Sequence, residues 1–210
     1  MSNRSGRKHR LLIVGGQKSG KSRHAEERAA AWLAASPAHR AVLIATATAG
    51  DAEMRARIER HRADRALRLP AMTTLEEPVA LAAAVEAHSR PDTLLVVDCL
   101  TLWLSNLQWR SSVSNQENYE LNTAIAHVEQ AQPAINKEAI EDFVLALGRC
   151  KGPVVMVSNE IGLGVVPMGR DVRAFVDALG LLNQRMAAAS NEVVLMAAGL
   201  PLTLKQRLES

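Results

Sequence analysis

Short apolar runs rich in β-branched residues punctuate the chain at Leu11–Val14 (LLIV), Ala41–Ala45 (AVLIA), Thr93–Val97 (TLLVV), Val154–Val157 and Glu192–Ala197. Each is nearly continuous in polarity rather than alternating, the pattern of strands covered on both faces. Between them, apolar positions recur at helical spacing. Gly20–Ala35 predicts a helix with Ala, Trp and Leu facing inward, and Asp51 to about Leu67 an arginine-studded helix capped by Asp51. Pro78–His88 predicts an alanine-rich helix with proline in its first turn, and Arg170–Ala189 a further helix. Leu202–Lys205 reads as a short edge strand. Strands alternating with helices predict an α/β fold, a mainly parallel sheet with helices on both faces.

One stretch breaks the rhythm. Gln108–Gly152 is longer than one crossover between strands needs. Trp109 to Tyr119 is polar and rich in Ser, Asn and Gln, which predicts a surface loop, and Pro133 divides the rest of the stretch into two helical pieces. The basic residues 1–10 read as a loose tail, leaving 11–210 as a single domain with a long crossover at about 108–150.

Composition narrows the function classes. Apolar residues make up 48% of 210 and aromatics only 3%, so the core must be aliphatic. A net charge of +3 favours anionic ligands but is too mild to argue for nucleic acid, and base-stacking aromatics are scarce. Cys99 and Cys150 have no metal-ligand spacing, which fits a reducing, cytoplasmic setting. No run approaches the roughly 20 apolar residues of a membrane span.

The chemistry gathers where the first strand meets the first helix. Gly15-Gly16-Gln17-Lys18-Ser19-Gly20-Lys21-Ser22 is a complete phosphate-binding P-loop pattern between a strand and a helix. Its glycines let backbone N–H groups converge on phosphate oxygens, and the helix N-terminus adds partial positive charge. Lys21 is expected on the β/γ-phosphates and Ser22 on Mg²⁺. Asp98 ends the run LLVVD, where a carboxylate could bind Mg²⁺ beside the P-loop or cap the next helix.

Arg57, His61 and Arg65 succeed each other at four-residue spacing, so they share one helix face. A histidine among arginines is ordinarily a solvated face. Here it could also be a nucleophile, because flanking cations disfavour imidazole protonation and could hold a triphosphate. Ser158–Arg170 (SNEIGLGVVPMGR) comes after a strand with polar residues, glycines and a proline, as an active-site loop does.

The segments GGQKSGKSRHAE, IATATAGDAEMRARIERHR, VVDCLTLWLSN, VSNEIGLGVVPMGR and LNQRMAAASNEVVLMAAGLPL together resemble the bifunctional adenosylcobinamide kinase / adenosylcobinamide-phosphate guanylyltransferase family of cobalamin biosynthesis. They occur in family order and cover most of the chain outside 1–10 and 108–150. The resemblance implies a RecA-like P-loop fold, a homotrimer, and Mg²⁺ used with ATP or GTP. It implies phosphorylation of adenosylcobinamide, then transfer of GMP from GTP through a guanylyl-histidine to adenosylcobinamide phosphate. The nucleophile falls on His61. Nucleotide contacts fall on Gly15–Ser22, on Thr46, Ala47 and Thr48, on Arg62, Ala63, Asp64 and Arg65, and on Glu76 and Asp98. Two departures stand out: the 108–150 segment is longer than typical, and Val176 stands where relatives carry Arg.

Three other readings compete. A P-loop kinase of another small metabolite would leave His61 inert. A GTP-binding switch would carry an NKxD motif, and the nearest string, Asn136–Ala139 (NKEA), lacks its aspartate. A RecA-like motor on DNA is disfavoured by the mild charge and the few aromatics.

Overall fold

The computed structural model describes residues 9–108 and 137–206. The tail 1–8, the expected loop at 109–119 and Pro133 with the first helical piece lie outside the described residues. Seven strands form one sheet in the order β3-β2-β4-β5-β1-β6-β7. They are β1 (Arg10–Gly15), β2 (Arg40–Ala45), β3 (Met72–Glu76), β4 (Thr93–Asp98), β5 (Val154–Val157), β6 (Glu192–Ala197) and β7 (Leu200–Gln206). All neighbours pair in parallel except β7, which runs antiparallel to β6. The helices are α1 (Lys21–Ala34), α2 (Ala52–Arg68), α3 (Leu81–His88), α4 (100–108), α5 (Lys137–Arg149) and α6 (Arg170–Ala189).

This is a RecA-like P-loop fold. β1 lies between β5 and β6, while the next strand in sequence, β2, pairs on the far side of β4. The carboxyl ends of β1, β4 and β5 therefore meet where the connections diverge, the place at which open α/β sheets bind ligands.

Residue alternation along the strands builds two apolar layers. Leu12, Val14, Ile44, Leu95, Val97, Val154 and Met156 face α3, α4, α5 and α6, where Trp103, Phe143, Leu147 and Leu182 complete the larger core. Leu11, Ile13, Leu43, Val96, Val155 and Val157 face the other way, against Ala25 and Ala29 of α1. With aromatics scarce, Trp103 anchors the larger layer. It is fully buried, lies tilted against Phe143 at 5.4 Å, and donates its indole N–H to Val79 O at 2.8 Å.

Three features depart from the sequence expectations. β3 was not foreseen: Met72–Glu76 buries only Met72 fully, as an edge strand does, and so lacks the apolar run that marked the other parallel strands. The helix expected from Pro78 starts at Leu81, because Glu77 Oε1 accepts from the amides of Val79 and Ala80 at 2.9 and 2.7 Å and holds that turn outside the helix. α4 begins directly after Asp98 and Cys99, within a string legible only as apolar. Asp51 does cap α2, accepting from Met54 N at 2.7 Å. No helix among the described residues is long and apolar enough to cross a membrane.

Candidate active site

The P-loop forms where β1 runs out. Gly15 has φ 153, and a side chain there would place its Cβ 2.4 Å from Met196 O and 2.7 Å from Ser19 Oγ. Only glycine lets the loop turn this close beneath β6. Gly20, with φ 98, caps α1 and brings Lys21 and Ser22 into its first turn. Gly16, Gln17 and Lys18 are exposed, whereas Ser19 and Lys21 are buried. Lys21 Nζ donates to Gly16 O at 2.6 Å. Burial pulls the Lys21 pKa down, and Arg57 adds to that, while Cys99 and Asp98 oppose it.

Asp98 completes the floor. It ends β4 between Ala45 of β2 and Val157 of β5. Burial pushes its carboxyl pKa up, opposed by a hydrogen bond from the Ser22 side chain and by His61, Arg65 and Lys21. The carboxylate is thus hydrogen-bonded to the hydroxyl expected to hold Mg²⁺. An alcohol and a carboxylate, both hard oxygen donors, would suit that ion. Among the described residues no cluster of three or more His, Cys, Asp or Glu could hold a metal ion.

The segment after β2 is fixed from below. Thr46 is fully buried; its hydroxyl accepts from Cys99 N at 2.9 Å and donates to Cys99 O at 2.7 Å, and its amide donates to Asp98 O at 3.2 Å. Asn106 on α4 donates to Thr46 O at 2.8 Å and to Pro78 O at 3.0 Å, and accepts from Thr48 Oγ1 at 3.3 Å. Ala47 is partly buried and Thr48 exposed. Cys99 and Asn106 were not singled out in the sequence, although both belong to the string VVDCLTLWLSN; their roles come from contacts between distant strands. Burial raises the Cys99 thiol to about 11, so it serves as packing rather than as a nucleophile.

α2 leans over this floor through polar contacts. Its one buried side chain is Arg65, which donates to Thr74 Oγ1 at 3.4 Å. Arg62 pairs with Glu76. Arg57 Nη1 and Nη2 donate to Gln17 Oε1 at 3.2 and 2.7 Å, with the Gln17 amide turned to present its oxygen. His61, Arg62, Ala63 and Asp64 are exposed. The expected sharing of a face by Arg57, His61 and Arg65 holds in part: Arg57 reaches the P-loop and Arg65 the floor, while His61 lies within electrostatic reach of Asp98. Helix spacing alone surrounds His61 with cations; the structure adds an acidic group from another strand.

Residues 11–204 match the family described as cobinamide kinase / cobinamide phosphate guanyltransferase. The bifunctional adenosylcobalamin biosynthesis protein CobP of Pseudomonas aeruginosa is 42% identical over 198 residues, 93% of this chain and 97% of the relative. The bifunctional proteins named CobU of Salmonella typhimurium and Escherichia coli are 36% and 34% identical, each over 93% of this chain and 99% of the relative. Among solved structures, the flagellar accessory protein FlaH of Methanocaldococcus jannaschii aligns over 96% of this chain and 80% of that one, at 12% identity and a TM-score of 0.47. With the family match spanning the sheet, the P-loop and α2, the chain belongs to the cobinamide kinase / cobinamide phosphate guanyltransferase family, whose two activities are those of a kinase and a nucleotidyltransferase.

Proposed function

We propose that one nucleotide site serves both activities, and that His61 carries GMP from GTP to adenosylcobinamide phosphate. The loop Gly15–Ser22 holds the triphosphate of ATP or GTP, with Thr46–Thr48, Arg62–Arg65 and Glu76 around the rest of the nucleotide. Ser22 and Asp98 hold Mg²⁺, which would neutralise phosphate charge when bound. In the kinase reaction the aminopropanol hydroxyl of adenosylcobinamide attacks the γ-phosphorus and nucleoside diphosphate leaves. In the transferase reaction a ring nitrogen of His61 attacks the α-phosphorus of GTP and pyrophosphate leaves. The phosphate of adenosylcobinamide phosphate then displaces the imidazole, giving adenosylcobinamide-GDP and restoring His61. Lys21, Arg57 and Arg65 supply the fixed positive charge that developing phosphate charge needs.

The observation that supports this reading is the pair of hydrogen bonds from Arg57 of α2, one turn before His61, to Gln17 of the P-loop at 3.2 and 2.7 Å. The helix that bears the histidine is thereby tied to the phosphate loop. A metabolite kinase with an inert histidine gives no reason for that placement. The exposed apolar side chains of β7, Leu200, Leu202 and Leu204, fit burial between subunits, and sedimentation equilibrium would test the homotrimer that the resemblance implies. The two buried cysteines, Cys99 and Cys150, and dependence on ATP or GTP fit the cytoplasm.

The test is incubation with α-labelled GTP. The wild type should acquire a covalent label that is lost in mild acid and survives mild alkali, as a phosphoramidate does. His61→Ala should acquire none while keeping much of its kinase activity. Undiminished labelling of the variant, or a label mapped to another residue, refutes the assignment.

A further inference from the structure

The kinase reaction also needs a group to receive the proton of the attacking hydroxyl. We infer that Glu160 is that general base, a catalytic residue of the kinase step alone; the inference rests on the reading that one P-loop site serves both reactions.

Four described carboxylates end the parallel strands or come just after them: Glu76, Glu77, Asp98 and Glu160. Three have other engagements. Glu76 pairs with Arg62. Glu77 accepts from the amides of Val79 and Ala80. Asp98 takes the Ser22 hydroxyl and lies beside Lys21. Glu160 comes after β5, the strand between Asp98's β4 and the P-loop's β1.

The backbone around Glu160 is held on three sides. Ser158 N donates to Ile13 O and Glu160 N to Gly15 O, both at 2.9 Å, which extends the contact of β5 with β1 to the first glycine of the P-loop. Asn159 N donates to Thr101 Oγ1 at 2.8 Å, from α4. Asn159 O accepts from Asn183 Nδ2 at 3.0 Å, from α6. The side chain is also oriented: Glu160 Oε1 accepts from Gly162 N at 2.8 Å. A Cβ at Gly162 would stand 3.1 Å from that oxygen, so glycine suits this close approach. Glu160 Oε2 has no hydrogen bond among the described residues. A carboxylate anchored through one oxygen, on backbone hydrogen-bonded to β1, α4 and α6, with its second oxygen available, suits proton transfer at a fixed point.

In the step, the hydroxyl oxygen forms a bond to the γ-phosphorus as the bond to the β,γ-bridging oxygen breaks. The hydroxyl proton passes to Glu160 Oε2, and the nucleoside diphosphate leaves with the electron pair of the broken bond. Guanylyl transfer has no hydroxyl to deprotonate, since an imidazole nitrogen and then a phosphate oxygen attack.

Glu160→Gln keeps an oxygen for the Gly162 amide but cannot take a proton. Its kinase kcat on adenosylcobinamide should fall by about 10²- to 10⁴-fold, with the KM for nucleotide little changed. Guanylyl transfer to supplied adenosylcobinamide phosphate, and the acid-labile label on His61, should stay within about threefold of wild type. Glu160→Ala should regain kinase activity with added formate or acetate. A kinase loss below tenfold, an equal loss in the transferase, or no rescue of the alanine variant overturns the assignment. The label on His61 reports separately on the two-reaction reading, so each idea fails in a different assay.

Discussion

Replacing Thr46 by Val tests how the site floor is built, because polar pairing and apolar packing predict opposite results. Val matches threonine in shape and exchanges a hydroxyl for a methyl at a position with no exposure. If packing dominated, the gain would be about 0.8 kcal/mol for the added buried carbon. The hydrogen bonds point the other way. Cys99 O keeps a partner, Trp103 N at 3.1 Å, but the amide of Cys99 loses the Thr46 hydroxyl it donates to at 2.9 Å. A buried amide left unpaired costs about 1–3 kcal/mol, and the lost bond to Cys99 O roughly a further 0.5–1.5. Offset by the methyl, the net is a destabilisation of about 2 kcal/mol, or roughly 4–8 °C in Tm for a chain of this size. Thr46→Ser keeps both bonds and loses one methyl, costing about 0.5–1.5 kcal/mol. The assay is urea unfolding of wild type, Thr46→Val and Thr46→Ser, with kinase and transferase rates for each. Thr46→Val should be the less stable variant and, since Cys99 adjoins Asp98, the less active. A Thr46→Val protein equal to or more stable than Thr46→Ser would refute the argument.

The charges around the P-loop lead to two further outcomes. Lys21→Ala should lose both activities, since a charge-assisted phosphate contact contributes about 1.5–3 kcal/mol to binding alone; kinase turnover near the wild-type rate would exclude the P-loop as the shared site. Asp98→Asn should be inactive yet more stable than wild type at neutral pH. Burial raises the Asp98 pKa above the usual 3.8, so the folded state holds this proton where the unfolded state has released it. Wild-type stability therefore declines as pH rises through that interval, and the advantage of the variant, read from unfolding at pH 3 to 7, should vanish below about pH 4.

Most of the sheet was legible in the sequence because its central strands are buried on both faces, which leaves uninterrupted apolar runs such as Leu11–Val14 and Thr93–Val97. β3 escaped notice because an edge strand needs no such run, though Thr73 and Thr74 were a β-branched hint. The P-loop was legible for a different reason: its function is performed by backbone, so glycine spacing alone encodes it. His61 was singled out through resemblance more than through spacing. Asn106 and Cys99 were not, because each acts through a partner more than 50 residues away in the chain, and the backbone supports of Glu160 were not, because they come from β1, α4 and α6. Sequence distance hides such pairings, while the parallel register creates them.

The two apolar layers on either side of the sheet have a consequence for how the chain can change over generations. The sheet backbone separates Ala25 and Ala29 of α1 from Phe143, Leu147 and Leu182 of α5 and α6. Side chains in one layer share no apolar cluster with those in the other, so losses of packing on the two sides should add rather than compound. Either layer can then be redrawn by drift without a matching change across the sheet. What both must preserve is the strand register between them, and with it the spacing of Gly15, Asp98 and Glu160.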